Sequence, residues 1–128
     1  MERSDIFLAT SNRKEGWGCT VNEAMTLGCA LVASDAIGAV PFLVRDGENG
    51  VEFRSEDFND LCEKAISLCA EPSEIERLSR NAASTMDRVW NARVAADRFV
   101  EYSRAILEDG VVEYVSGPMS PCVTGDHR

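Results

Sequence analysis

A chain of 128 residues, 45% hydrophobic and 27% charged, can build one small core; it is neither a disordered polymer nor a pair of full domains. Its formal charge of −9, from 22 acidic against 13 basic residues, opposes a nonspecific grip on nucleic acid or on an anionic membrane, so any anionic ligand must be held by local groups. No run of 18 apolar residues and no apolar leader is present, and the expectation is a cytoplasmic chain without a transmembrane segment.

In chain order, "DIFLATS" (5–11) and "ALVASD" (30–35) are short apolar runs ending in small polar residues, as expected of parallel strands covered on both faces. Between them Thr20 to Leu27 has a helical apolar pattern in Val21, Ala24 and Met25, with Gly28 as its C-terminal stop. Pro41 fits the start of a short helix, "DGENG" offers a turn, and Val51 to Phe53 read as a third strand. The second half is helical. Ser55, followed by two acids, marks a start, and Phe58, Leu61, Cys62, Ala65, Ile66 and Cys69 keep the 3.6-residue period until Pro72.

Ser73 and Glu76 have capping-box spacing and open a helix with Ile75, Leu78, Ala82, Met86, Val89 and Trp90 on one face. Asn91 caps a last helix, striped by Ala95, Phe99, Tyr102 and Ile106 and ending at Gly110. Residues 110–128, with two prolines and two further glycines after Gly110, read as an irregular tail. The five cysteines, at 19, 29, 62, 69 and 122, are odd in number and include no CxxC pair; reduced, buried thiols are expected rather than disulfides or a zinc site. The single histidine, His127, falls in the tail, and no residue set has metal-ligand spacing.

The segment "KEGWGCTVNEAM" (14–25) carries the chemistry. It lies where a strand's C-terminus meets a helix N-terminus, the usual ligand position in a parallel sheet. Gly16 and Gly18 let an anion approach backbone N–H groups that carry about half a positive charge through the helix dipole. Arg13 and Lys14 add local cations. With a helix beginning near Thr20, Glu15 lies in the loop and Glu23 in the first turn, placing an acid on each side of one ligand. Plainer roles stand beside these: Thr20 and Glu23 have capping-box spacing, Glu15 fits a solvated loop, and Trp17 fits the rim of the core.

The run "EGWGCTVNEAMTLGCALVASDAIGAVPFLVRDGENGVEF" resembles the C-terminal domain of the retaining glycosyltransferases of family four, also called group one, which have the GT-B fold. The resemblance rests on E-G-aromatic-G and E-A-M with seven residues between the glutamates, and on the later strand and "RDGENG" turn; it covers roughly residues 3–108. It implies an α/β fold: a partial Rossmann-like parallel sheet of about three strands, helices on both sides and a helical C-terminal half. Residues 1–109 would be the C-terminal half of a nucleotide-sugar-binding domain. Glu15 would bind the donor sugar's hydroxyls and support charge at the anomeric carbon. Gly16, Trp17, Gly18 and Cys19 would offer N–H groups to the sugar and diphosphate, with Thr20 and Val21 beside them, Arg13 and Lys14 nearby, and Glu23 on the ribose.

The resemblance also implies transfer from a nucleotide-diphosphate sugar to a glycan, lipid or small molecule, with no cofactor and no metal. The family's acceptor domain and the first strands of the nucleotide domain lie outside this sequence, and Phe42 stands where the family often has Glu. The chain alone is therefore expected to transfer nothing, and to engage a missing N-terminal acceptor domain or self-associate through an open sheet edge; peripheral membrane contact would come only through the absent domain. Two other classes remain. A receiver-type signalling domain would use Asp35 as phosphoacceptor but lacks the expected lysine, and a non-catalytic binding module would have no chemical reason to keep both glutamates.

Overall fold

The computed structural model describes residues 4–121, so Cys122 and His127 lie outside the described residues. Three parallel strands, β1 (Ile6–Ala9), β2 (Ala30–Ser34) and β3 (Val51–Phe53), lie in the order β1-β2-β3. Ile6 pairs with Ala30 and Ala9 with Ala33, while Val32 pairs with Val51 and Ser34 with Phe53. All five β2 residues are buried, because alternate side chains enter two different cores. Leu31 and Ala33 face Val21, Met25, Val40, Leu43 and Met86, whereas Ala30 and Val32 face Phe53, Leu68 and Leu78. The two-sided apolar strand read from the sequence is therefore the centre of the molecule.

Helices α1 (Cys19–Thr26) and α2 (Val40–Leu43) serve the first core, and α3 (Phe58–Cys69) the second. Helix α4 (Pro72–Arg88) spans both, giving Leu78 to one and Ala82 and Met86 to the other. Its Asn81 side chain donates to the Glu48 carbonyl at 2.8 Å, and Arg77 to the Gly47 carbonyl at 2.6 Å, which ties the helix to the "DGENG" turn. Buried Asn49 completes that tie. It takes the Arg45 N–H at 2.7 Å and donates to the Leu43 carbonyl at 2.9 Å and the Thr85 hydroxyl at 3.0 Å.

Several caps differ from the sequence reading. Helix α1 starts one residue earlier, at Cys19, after Gly18 in left-handed backbone; the Thr20/Glu23 capping box is not formed, and Glu23 lies in the second turn. Asp57, not Ser55, caps α3 by accepting the Asp60 N–H at 3.0 Å. Pro72 does not merely end α3 but opens α4 in its first turn, where the missing proline N–H costs nothing; Glu76 pairs with Arg80 instead of closing a box with Ser73. Helix α4 ends at Arg88, before Val89 and Trp90. At the other end of α1 the expected stop holds: Gly28 and Cys29 donate to the Met25 and Ala24 carbonyls at 3.1 and 3.0 Å, a paired C-terminal closure. Asn91 caps α5 (Ala92–Leu107) as expected, accepting the Val94 N–H at 2.9 Å.

Helix α5 buries none of its residues, and Phe99, Val100, Ile106 and Leu107 are exposed, since no further layer covers its stripe among the described residues. Beyond it no regular element forms up to Pro121, yet the segment is seated: Arg98 donates to the Ser116 and Pro118 carbonyls and lies 4.4 Å above the Tyr114 ring. Tyr114 in turn donates to Glu101 at 2.8 Å, and burial together with that carboxylate raises its hydroxyl pKa. Of the four described cysteines only Cys29 is fully buried; Cys19 and Cys69 are exposed because both fall on the outward side of their helices.

Candidate functional site

The site is built from the two loops that leave the C-terminal ends of β1 and β2. In the first, Asn12 makes a tight turn: its side chain accepts the Lys14 N–H at 3.1 Å and its carbonyl the Glu15 N–H at 2.9 Å. Ser11 donates to the Glu15 carboxylate at 3.2 Å, which steadies that side chain. Gly18 follows at φ +85, with the Glu15 side chain against it and Ile37 of the second loop beneath; a Cβ there would lie 2.6 Å from an Ile37 methyl carbon. Left-handed backbone and close contact both require glycine at that point.

The second loop locks onto the first. Ala39 donates its N–H to the Trp17 carbonyl at 2.8 Å, and a Cβ on Gly38 would fall inside the Gly16 carbonyl. Trp17 completes the joint, packing on Phe42 at 5.4 Å and Trp90 at 6.2 Å between ring centroids, and donating its indole N–H to Asn22 at 2.8 Å. The ring is thus mainly a packing residue, 37% exposed. Phe42, standing where an acid was expected from the resemblance, belongs to this aromatic joint.

What the interlocked loops display is backbone. Gly16, Trp17, Gly18, Cys19 and Thr20 donate their N–H groups to no acceptor among the described residues; Val21 is the first of the series to be satisfied, by the Gly18 carbonyl at 2.9 Å. No side chain caps this helix end. Gly16 has no atom within 4 Å of where its Cβ would be, so the space in front of it is open. Five amides without an acceptor at the positive end of a helix are an arrangement that can hold an anion.

Both glutamates stand at this end. Glu15 leans on the cap residue, and Glu23 shares the exposed side of α1 with Cys19 and Thr20, four and three positions before it. Arg13 and Lys14 precede Glu15 in the same loop. They line a cavity of about 430 Å3 with Asn12, Asp35, Arg54, Ser55 and Glu56, which Glu23 does not border. Lys14 and Glu15 also line a shallow depression with Thr10, Ser11 and Asn12. Among the described residues no cluster of His, Cys, Asp and Glu is arranged to hold a metal ion, and no helix is long and apolar enough to cross a membrane.

Sequence reasoning missed Gly38, Trp90 and Arg54 as parts of the site's frame. The only trace of Gly38 was a glycine soon after a strand ending, and Trp90 and Arg54 acquire their positions solely through tertiary packing.

An uncapped helix thus follows an E-G-W-G loop, with seven residues between the two flanking glutamates. The family model for glycosyl transferases group 1 matches residues 1–85. The chain belongs to that family. A trehalose synthase of Pyrococcus horikoshii is 37% identical over 98 residues, covering 77% of this chain and 23% of that protein. This group 1 chain thus spans about a quarter of the curated relative's length.

Among solved structures, the C-terminal domain of a glycosyl transferase group 1 family protein (LpcC) from Francisella tularensis superposes with a TM-score of 0.59 at 29% identity, over 65% of this chain and 42% of that one. The Anabaena protein HepE, solved in complex with UDP, shares the fold at a TM-score of 0.69 and 23% identity, over 80% of this chain and 28% of that chain. The group 1 domain therefore has the partial Rossmann-like sheet of GT-B proteins.

Proposed function

We propose that this chain is the donor-binding part of a retaining glycosyltransferase, taking a nucleotide-diphosphate sugar at the amide cradle of α1. The observation that carries the reading is the run of five free N–H groups from Gly16 to Thr20, bracketed by Glu15 and Glu23. A diphosphate matches the cradle, because the amides are fixed before binding and the helix dipole favours negative charge. Carboxylates beside an anion site are useful only toward hydroxyl groups, which a nucleotide sugar presents on both sides of its diphosphate. Glu23, nearer the helix body, serves the ribose; Glu15, in the loop, serves the transferred sugar. Cys19, Thr20 and Val21 flank the phosphates. That HepE was solved with UDP supports a nucleoside diphosphate as the class of ligand.

In the reaction, the bond from the anomeric carbon to the diphosphate breaks and its electron pair leaves with the nucleoside diphosphate. An acceptor hydroxyl oxygen bonds to that carbon on the face the diphosphate leaves, and its proton passes to the departing phosphate oxygen. The fixed amides stabilise negative charge growing on the diphosphate, and Glu15 stabilises positive charge growing on the sugar. The acceptor must be held largely by residues beyond this chain, so the chain alone binds donor without turning it over. The outer side of β1, unpaired among the described residues and carrying half-exposed Leu8, is where another strand or a second copy would pair.

The test is a calorimetric or ligand-observed NMR screen of uridine, guanosine and adenosine diphosphate sugars, repeated with Glu23→Ala. The Glu23 side chain is exposed and has no partner among the described residues, so the variant keeps its fold. Loss of hydrogen bonds to a charged acceptor, about 1.5–3 kcal/mol, weakens the binding ten- to a hundredfold. Failure of every nucleotide to bind, or an undiminished affinity in Glu23→Ala, rejects the reading.

A further inference from the structure

Arg13 and Lys14 lie between the Asn12 turn and Glu15, on the wall of the 430 Å3 cavity over the C-terminal ends of β2 and β3. Asp35, Arg54, Ser55 and Glu56 line the same space, and none of residues 15–23 borders it, although Lys14 also shares a shallow depression with Glu15. The groups around it are unequally engaged. Asp35 accepts the Ser55 N–H at 2.9 Å on one carboxylate oxygen, leaving the other unused. Arg54 is held by Asp57 at 2.9 Å and Asp60 at 3.5 Å. Arg13, Lys14 and Glu56 have no side-chain partner among the described residues, and no ion pair joins the two cations to the acids across the cavity.

Two unneutralised cations and two carboxylates with free acceptor oxygens around one cavity match a ligand that carries both an anionic group and hydroxyls. The volume suits a small molecule of that kind. A nucleoside diphosphate on the amides of 16–20 approaches α1, whereas this cavity is bounded by the β2 and β3 ends. We propose that the cavity is a subsite for the second substrate and takes a phosphorylated polyol, its phosphate on Arg13 and Lys14 and its hydroxyls on Asp35 and Glu56. This rests on the donor-binding reading and deepens it by naming the acceptor's chemical class; it also assigns Arg13 and Lys14 to the acceptor rather than to the donor's diphosphate.

The experiment is a set of amide-resolved NMR titrations of the full chain with sn-glycerol 3-phosphate, glycerol, inorganic phosphate and the nucleotide found by the donor screen. Glycerol 3-phosphate shifts the amides of residues 12–14 and 54–56 and binds about threefold or more tightly than inorganic phosphate, while glycerol alone shifts neither. The nucleotide shifts residues 16–21 and binds together with glycerol 3-phosphate. The double variant Arg13→Gln/Lys14→Gln weakens glycerol 3-phosphate about tenfold and leaves the nucleotide unaffected; Glu23→Ala does the reverse. Absence of shifts at the cavity overturns the proposal, as does equal binding of inorganic phosphate. One-for-one displacement by the nucleotide also overturns it but leaves the donor reading intact. Failure of every nucleotide with glycerol 3-phosphate still bound removes the donor reading alone.

Discussion

The two glycines that meet in the site, Gly16 and Gly38, allow the demands of the fold and those of the proposed ligand to be tested separately. Gly38→Ala sets a methyl group into the Gly16 carbonyl, and the obstacle is backbone, which cannot rotate aside. The loops must part, which adds about 1–3 kcal/mol of overpacking and loses the Ala39 N–H to Trp17 carbonyl bond, worth about 1 kcal/mol. The total is about 2–4 kcal/mol, or roughly 8–16 °C in Tm for a domain of this size. Gly16→Ala meets nothing within 4 Å and should change stability by less than about 0.5 kcal/mol, yet its methyl group enters the open space before the amides. Urea denaturation followed by circular dichroism, paired with nucleotide titration, measures both. Gly38→Ala should unfold early, while Gly16→Ala should unfold like the parent and bind nucleotide at least about tenfold more weakly. The reasoning is refuted by a Gly38→Ala protein as stable as the parent, or by a Gly16→Ala protein that keeps full affinity.

Other expectations follow from particular contacts. Asn49→Ala strips three hydrogen bonds from a buried position and should cost about 2–4 kcal/mol in urea denaturation. Arg98→Ala should raise amide hydrogen exchange across residues 111–121 while leaving β2 protected, since Arg98 holds two carbonyls and one ring of that segment. Asp60 is held below its ordinary pKa by the Arg54 N–H and guanidinium, and Glu74 by its hydrogen bond from Arg77. A lowered folded pKa means stability that is complete above the unfolded value and lost as pH falls through the folded one. Thermal stability should therefore drop below about pH 4, and Asp60→Asn should flatten that drop.

The framework was legible in the chain because its signals are local. A doubly buried strand must be apolar at every position, which marked β2; a helix closed by glycine marked the end of α1; Asn91 marked the start of α5. Caps were read less well, since Ser, Thr and Glu at box spacing satisfy the pattern whether or not the chain needs them. At α1 a left-handed glycine already turned the backbone into the helix, and at α4 proline did so.

In the site, the sequence by itself marked the candidate residues: two glutamates with seven residues between them around a glycine-rich helix start. Tertiary structure alone decided what those residues face. The loop that carries the unpaired amides is held by Ile37, Gly38 and Ala39, some twenty residues downstream: Ala39 donates to the Trp17 carbonyl, Gly38 packs on the Gly16 carbonyl and Ile37 lies against Gly18. Likewise Arg13 and Lys14, adjacent to the motif in the chain, fall into a cavity made by the ends of two other strands. Neighbours along a loop share no fixed direction, and only the packing of distant strands sets which way each side chain leaves the turn.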